Sequence, residues 1–591
     1  MKVNRREAIA IGIAGTTATA VPLRAFAAAG VSQVEALRVC GLENPLALGD
    51  APPRFSWKLG GDTARAAQVA YRITVARSES DLARGGNLVW DSGRVESGSG
   101  VDVAYAGPAL PSRSRVWWQV EAWSKGARKP WRSAPAMWET GLAPADWQAE
   151  WVASETLAAQ ADRAAGLHWL SGPDRQAVDQ LRAFRWTFDH PGGPAEFCAT
   201  LHKLNGVWIN GEPAPEPRDG PARHTEMAVW PITLKKGRNV IAIEGRRVGA
   251  FGEPPCVLAA LLRHGAGLTD RLSSGSPGWK TAAGAAQGWQ DPGFDDTGWA
   301  DAQKPTGSLP IGEPWPLTPA SRIRTAFSVE RPVRAARLHA TALGIYEPWI
   351  NGAAIADRKL APEFTDPSKR VLYQTYDVTA LIKPGANVIG MVVGDGWYGG
   401  RFSTSGRFAF GPAPCRVLCQ LEIEHDDGSR AVIGSGKGWE ISDAEVLEHS
   451  LYDGEILDAR AEQAGWAAPG GTGAGWRAAS VVAAPSVPVD PQRCPPIRVR
   501  ETLKPASVTR LGVGRYVADF GQNFAGFPRL TVTAPAGTRI EMRFAELVKA
   551  DGSADQSNLR TAKARDITSL RGADAKSMSR ALRIMGSAMW N

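Results

Sequence analysis

The chain has 591 residues, of which 43% are hydrophobic and 22% charged. This composition is that of a globular protein, not a disordered one, and the length allows roughly four domains. The formal net charge is +8, but residues 1–29 carry +3 and residues 573–591 carry +2 of it. The long middle of the chain has no basic block, so we expect no nucleic-acid partner.

The N-terminus has the pattern of an export signal. Arg5 and Arg6 precede a mildly apolar run, and Ala25-Phe26-Ala27 then has the A-x-A pattern of a cleavage site. Paired arginines before a weakly hydrophobic core resemble a twin-arginine signal, with an ordinary secretory signal as the alternative. Either route carries the protein to the periplasm or beyond. No later apolar stretch is long enough to span a bilayer, so we expect no membrane insertion of the mature chain.

Alternation of apolar and polar residues with a period of two dominates the chain and predicts β-strands. Examples are Tyr71-Arg72-Ile73-Thr74-Val75, Val116-Trp117-Trp118-Gln119-Val120 and Leu530-Thr531-Val532-Thr533. Turn-forming residues separate such segments, as they do in β-sandwiches. The six cysteines form no C-x-x-C motif, so we expect buried free thiols and no zinc or redox site.

An internal repeat occupies the centre of the chain. The segment Val207-Trp208-Ile209-Asn210-Gly211 recurs as Glu347-Pro348-Trp349-Ile350-Asn351-Gly352, and residues 234–241 match residues 381–389. Asn-Gly after an apolar strand predicts a tight hairpin turn, because both residues accept positive φ. Two copies predict two jelly-roll sandwiches of the galactose-binding-like type. The shared Trp and Asn residues are interpreted as core and turn residues, in preference to ligand contacts.

Several blocks of residues along the chain resemble segments of one known family. The blocks near the N-terminus are Glu43-Asn44-Pro45-Leu46, Pro53-Arg54-Phe55-Ser56-Trp57 and Trp138-Glu139-Thr140-Gly141. They are similar to the fibronectin-type-III-like leader of bacterial α-L-rhamnosidases, glycoside hydrolase family 78. Further along, Gly394-Asp395-Gly396-Trp397-Tyr398 resembles its N-terminal jelly-roll domain. Asp519-Phe520-Gly521-Gln522-Asn523 resembles the concanavalin-like sandwich that precedes its catalytic barrel.

The resemblance implies an all-β fold class, with a fibronectin-type-III-like domain, tandem jelly-roll β-sandwiches and a partial concanavalin-like β-sandwich. No (α/α)6 barrel is expected. The predicted domains are the export signal (1–29), the leader sandwich (31–146), a jelly-roll and possible carbohydrate-binding module (147–317), the rhamnosidase N-terminal jelly roll (318–490), an incomplete concanavalin-like sandwich (491–572) and an out-of-frame tail (573–591).

The tail prediction depends on the last residues of the chain. The family continues with a strand of the type F-T-Y-H-G-F-R-Y-V-E, which residues 581–591 do not match. In a frame shifted by two bases, Met589-Trp590-Asn591 must give Val-Glu, because ATG TGG AA contains GTG GAA. We therefore hypothesise a frameshift between Gly572 and Ala581, and a chain truncated before the catalytic barrel. The DNA of the gene would decide this.

By the same resemblance, the full-length product is an inverting α-L-rhamnosidase that releases terminal rhamnose from glycosides or polysaccharides. Inversion needs two carboxylates held about 6.5–9.5 Å apart, and in the family the barrel supplies them. We therefore expect no catalytic residue in this chain and no activity. Asp453 and Glu455 could mimic such a pair on an extended segment, but holding a turn or a salt bridge is the preferred interpretation.

The alternative function is a non-catalytic carbohydrate-binding or surface-interaction protein. Its candidate sugar contacts are Asp395, Trp397 and Tyr398, with Arg401 near, because sugar sites combine an aromatic face with polar anchors. A structural loop packed between modules is the competing interpretation. Some family members bind rhamnose through calcium in an extra module, but no calcium ligands can be matched here, so no metal or cofactor is assigned. The natural substrate and the oligomeric state stay open.

Overall fold

The structure is a computed structural model, and three predicted features lie outside the residues that it describes: the export signal, the out-of-frame tail and Arg401. The described residues are 34–49, 52–60, 67–125, 128–155, 157–174, 180–201, 204–218, 227–246, 256–306, 314, 319–355, 358–400, 407–408, 410–411, 413–559 and 562–572.

Strands dominate the described part of the chain, which confirms the predicted all-β class. The α-helices found there are short: α1 Glu79–Arg84, α2 Leu157–Ala164 and α3 Gly396–Gly399. Helix α1 begins where Ser78 Oγ accepts from the backbone N–H of Asp81, and it ends at Gly85, whose φ is +67°. Within the described residues, no helix has the length and apolar character needed to cross a membrane. The 3₁₀ turns are Pro144–Asp146, Ala266–Leu268, Thr379–Leu381, Ala459–Ala461 and Ser557–Leu559.

The described residues between 34 and 45 and between 52 and 139 form one compact unit, a two-sheet sandwich. Its sheets have the orders β1-β2-β6 and β4-β3-β7-β8, with β5 on β3 and β9 on β7. Phe55, Trp118 and Trp138 are fully buried, and the Phe55 and Trp118 rings lie 4.5 Å apart. The strands are β1 Val34–Val39, β2 Arg54–Leu59, β3 Gln68–Ala76, β4 Leu88–Asp91, β5 Val95–Glu96, β6 Val103–Ala104, β7 Arg115–Ser124, β8 Trp131–Arg132 and β9 Ala136–Glu139.

The other described residues form the second unit, which includes the first copy of the repeat. Two sheets with the orders β14-β13-β16-β11-β19-β20 and β15-β12-β17-β18 enclose a core that includes Phe184, Trp186 and Phe197. Strand β10, Val152–Ala153, belongs to a sheet of the second copy. The strands of the first copy are β11 Leu181–His190, β12 Gly193–Leu201, β13 Leu204–Ile209, β14 Glu212–Pro213, β15 Ala228–Leu234, β16 Gly237–Arg246, β17 Leu258–His264, β18 Asp270–Ser273, β19 Trp279–Ala283 and β20 Ala300–Asp301.

The second copy has the same construction. Its sheets have the orders β24-β23-β26-β21-β29-β32 and β10-β27-β22-β25-β33, with β28 on β27, and Ile323, Met391 and Leu421 lie in the core. The strands are β21 Ser321–Val329, β22 Val333–Leu343, β23 Ile345–Ile350, β24 Ala353–Ala354, β25 Val371–Asp377, β26 Gly385–Gly394, β27 Arg416–His425, β28 Arg430–Gly434, β29 Glu440–Asp443, β30 Val446–Ser450, β31 Gly454–Asp458, β32 Arg477–Ala478 and β33 Val489–Pro491.

The hairpin turns predicted from the repeat are confirmed. Asn210 and Gly211 have φ of +52° and +91°, and Asn351 and Gly352 have φ of +50° and +82°. Positive φ at both central residues is the requirement of a type I′ turn, which Asn-Gly meets at low cost.

A buried asparagine fixes each of these turns. Asn387 is fully buried, and its Oδ1 accepts from Asn351 Nδ2 at 2.7 Å and from the Lys383 N–H at 2.9 Å. Its Nδ2 donates to the carbonyls of Lys383 and Gly385. The first copy repeats these contacts around its own buried asparagine, Asn239. The structural interpretation of the shared asparagines is therefore correct.

The C-terminal segment shares a sheet with the second jelly roll, in the order β30-β31-β39-β36. Strands β31 and β39 run parallel, with Ile456 opposite Ile567. The alternating segment 530–533 forms no strand, so that prediction is wrong. Leu530 forms a single β-bridge, but residues 531–533 form none, so the segment does not become a strand. The remaining strands are β34 Ser507–Gly512, β35 Arg515–Asp519, β36 Arg539–Arg543, β37 Leu547–Val548, β38 Ala554–Asp555 and β39 Arg565–Ser569.

Candidate functional site

The candidate sugar-contact residues lie where strand β26 ends and the single turn of helix α3 follows. Gly396 starts this turn with φ of +51°. A Cβ atom there would lie 2.6 Å from the Cβ atom of Ile345. Both the backbone conformation and the close approach therefore require glycine. At the end of the turn, a Cβ atom on Gly399 would lie 2.7 Å from Asp395 Oδ1, so the helix packs tightly over that carboxylate.

Asp395 is buried and its carboxylate is used within the protein. It forms an ion pair with Arg407 and lies 3.5 Å from His449 Nδ1. The Asp395 N–H donates to the same His449 nitrogen at 2.8 Å. The Asp395 carbonyl accepts from the N–H of Gly399 at 2.8 Å. These contacts fix the loop that follows β26. They occupy the carboxylate, the N–H and the carbonyl of Asp395, so few of its polar atoms can contact a ligand.

The two aromatic residues of the loop differ in exposure. Tyr398 is buried, with its ring 6.0 Å from that of Phe408, and burial raises the pKa of its hydroxyl. Trp397 is half-buried, and its ring lies 5.4 Å from that of Phe364, which is 48% exposed. The structure thus places Asp395, Trp397 and Tyr398 together on one turn but presents only Trp397 toward an accessible aromatic surface. Sugar binding at these residues stays a prediction.

The Asp453 side chain and the Glu455 backbone are also held within the fold. Asp453 lies in the turn before β31, is buried, and accepts from Ser450 Oγ at 3.2 Å. The N–H of Glu455 donates to Asp566 Oδ1 at 3.2 Å, which joins β31 to β39. Asp453 therefore holds a turn, in line with the preferred interpretation.

Three family models match the chain. Residues 34–144 match the N-terminal immunoglobulin domain of Rha78A-like proteins, residues 331–501 match the α-L-rhamnosidase N-terminal domain, and residues 509–586 match the bacterial α-L-rhamnosidase concanavalin-like domain. An α-L-rhamnosidase of Streptomyces avermitilis is 35% identical over 90% of this chain and 53% of its own length. The chain carries the N-terminal domains of the α-L-rhamnosidase family.

Other relatives agree with this assignment. An α-L-rhamnosidase of Formosa agariphila is 25% identical over 89% of the chain and 41% of its own length. The crystal structure of the Streptomyces avermitilis α-L-rhamnosidase complexed with L-rhamnose superposes with a TM-score of 0.78 at 33% identity, and the match covers 93% of this chain and 55% of that one. The chain thus spans about half the length of these rhamnosidases.

The sequence analysis missed two arginines at equivalent places in the two jelly rolls, one fully buried and one partly buried. Arg185 is fully buried, donates to the carbonyls of Trp289 and Asp291, and pairs with Asp296 at 2.8 Å. In the second copy, Arg324 donates to the carbonyls of Trp466 and Gly471 at 2.6 and 3.0 Å. Each arginine therefore fixes a Trp-containing loop. Extending the repeat alignment would have found them, because the two arginines occupy equivalent positions in β11 and β21.

No group of three or more His, Cys, Asp or Glu side chains is placed to hold a metal ion in the part of these rhamnosidase domains that the structure describes. All six cysteines are free thiols. The expectation that all are buried is wrong for Cys40 and Cys494, which are exposed. Burial raises the pKa of the thiols of Cys198, Cys256, Cys415 and Cys419.

Proposed function

We propose that this chain is the N-terminal portion of an exported α-L-rhamnosidase that hydrolyses terminal α-L-rhamnose from glycosides with inversion, and that the chain alone is inactive. The observation that carries the proposal is the 35% identity to the Streptomyces avermitilis enzyme over 90% of the chain. Rhamnose-containing glycosides or polysaccharides are the proposed substrates, since a relative is complexed with L-rhamnose.

The chemistry of the reaction supports the expected inactivity. An inverting glycosidase needs an acid and a base on opposite sides of the sugar, with a carboxylate separation of about 6.5–9.5 Å and room for water between them. Two of the acidic residues that the sequence singled out already have partners within the fold. Asp395 is paired with Arg407, and Asp453 is buried against Ser450.

The activity test compares the 591-residue chain with a fusion of residues 1–572 to the remaining half of the Streptomyces avermitilis enzyme. The chain alone should release no nitrophenol from p-nitrophenyl α-L-rhamnoside, whereas the fusion should release it. NMR of the fusion's first product should show the β-anomer of rhamnose. Turnover by the chain alone would contradict its inactivity. A folded but inactive fusion, beside an active Streptomyces enzyme, would contradict the role of these domains.

Export is tested separately at the paired arginines. Replacing Arg5 and Arg6 with lysine should retain the protein in the cytoplasm if the twin-arginine route is used. The unchanged chain should be recovered outside the cytoplasm in the same cells. Continued export of the lysine variant would favour an ordinary secretory signal.

A second candidate function is carbohydrate binding without turnover, which the accessible rings of Trp397 and Phe364 favour. Aromatic faces are common walls of sugar sites. Calorimetric titration with L-rhamnose should then give binding that the Trp397→Ala variant weakens at least tenfold. The Trp476→Ala variant is the control, since its ring packs against Arg324 instead. Equal binding by both variants would remove this candidate.

A further inference from the structure

A cavity of about 500 Å³ lies beside strand β25 of the second jelly roll. Its lining residues include none of the loop that contains Asp395. Ile355, Tyr376 and Leu381 contribute apolar wall, and Arg358 and Arg498 contribute positive charge. A volume of this size is within the range of cavities that hold small organic ligands. No role described above uses this cavity.

The two arginines reach the cavity because of how the backbone pairs. Arg358 and Arg498 are partners in an isolated antiparallel bridge, and the neighbouring Lys359 N–H donates to the Ile497 carbonyl at 2.9 Å. Residues directly opposite each other in such a pair project to the same face, which places both side chains in the cavity wall. Two guanidinium groups on one face would both attract an anion placed between them.

Arg358 is oriented by contacts that carry no full negative charge. Its Nη2 donates to the Thr375 carbonyl at 3.1 Å, and its guanidinium carbon lies 4.9 Å from the centre of the Tyr376 ring. The carboxylate in the described wall is that of Asp377, which lies 2.9 Å from Arg337 and also accepts from Thr379. Asp377 therefore already has a cationic partner of its own.

We propose that this cavity binds a carboxylated sugar, a uronate residue of a polysaccharide chain. A planar carboxylate matches the donor fork of a guanidinium and can be held by two N–H groups at once. The apolar wall around Tyr376 offers surface to the carbon face of the sugar ring. The choice of a sugar as the ligand rests on the proposed function, and the inference narrows the proposed substrates to acidic polysaccharides.

The test is calorimetric titration of the full chain with sodium glucuronate, with glucose as the neutral match and glucose 6-sulfate as the other anionic sugar. Glucuronate should bind at least tenfold more tightly than either of them, and its binding should weaken as NaCl rises. The Arg358→Gln variant should lose at least tenfold in affinity. Arg331→Gln, which removes an exposed arginine that pairs with Asp427 outside the cavity, should bind like the unchanged chain.

Several outcomes would overturn the inference. The chain could bind glucose as tightly as glucuronate, or glucose 6-sulfate as tightly as glucuronate. The Arg358→Gln variant could also bind glucuronate as tightly as the unchanged chain. If thermal unfolding shows that Arg358→Gln is misfolded, Arg498→Gln must show the same loss of affinity in a folded protein. The rhamnoside assay of the fusion protein is independent of this titration, so failure of the uronate site and failure of the proposed function are distinguishable.

Discussion

Replacing Asn387 with alanine is expected to remove four hydrogen bonds from the interior of the second jelly roll. In the intact chain the Asn387 side chain accepts from the Lys383 N–H and from Asn351 Nδ2. It donates to the carbonyls of Lys383 and Gly385 at 2.7 and 2.8 Å. Because Asn387 is fully buried, the alanine variant leaves these partners without the groups that satisfied them.

The magnitude follows from the number of these contacts. Each hydrogen bond contributes about 1 kcal/mol net, and a partner left buried costs up to about that amount again. Some partner groups in the turn can reach water, so we expect a total loss of about 3–4 kcal/mol. For a module of this size, that loss corresponds to an unfolding midpoint lower by about 10 °C.

Hydrogen exchange read by mass spectrometry is the suitable assay, because a chain of several modules does not unfold in one transition. Asn387→Ala should speed exchange in β26 and leave β16 unchanged, whereas Asn239→Ala should do the reverse. The exposed Asn205, replaced by alanine, should change stability by less than about 0.5 kcal/mol. A loss below about 1 kcal/mol for Asn387→Ala, or an equal effect on β16 and β26, would refute the reasoning.

Two further predictions concern titratable groups. His190 and His264 lie on different sheets of the first jelly roll with ring centroids 4.8 Å apart, and burial lowers the pKa of both. The unfolded chain takes up these protons near pH 6.5, above the folded pKa values, so the stability of this module should be complete above that pH and decline below it. Unfolding midpoints from pH 7.5 to 5 should show this decline, and a double Phe variant should reduce it. An aromatic disulfide reagent at pH 8 should react with Cys40 and Cys494 in the folded chain and with all six thiols only after denaturation. Rapid native reaction of a third thiol would contradict the structure.

The fold class was predictable because its signals are local. The hairpin turns follow from the Asn-Gly pair, because both residues adopt the positive φ of a type I′ turn at little cost. The alternation in β7 places Val116, Trp118 and Val120 in the core, as the residues suggested. The same alternation failed at 530–533, because a strand also needs a partner backbone, and that information is not local.

The candidate site was less predictable. The sequence grouped Asp395, Trp397 and Tyr398 correctly on one short segment, but it could not show which of them face inward. That depends on Arg407 and His449, which lie 12 and 54 positions away in the chain. The buried Arg185 contradicts the usual placement of charge at the surface, and only its contacts with the loop around Trp289 explain it.

The parallel pairing of β31 with β39 has a consequence for how such chains can be divided. About 110 residues separate Ile456 from its partner Ile567, and the sheet that their two strands share belongs to neither module alone. A gene fragment cut near residue 490 would deliver each half without the neighbour that completes its hydrogen-bonding edge. A recombination event that replaces one of these modules must therefore replace both segments that contribute strands to the shared sheet, and the two modules form one unit of exchange.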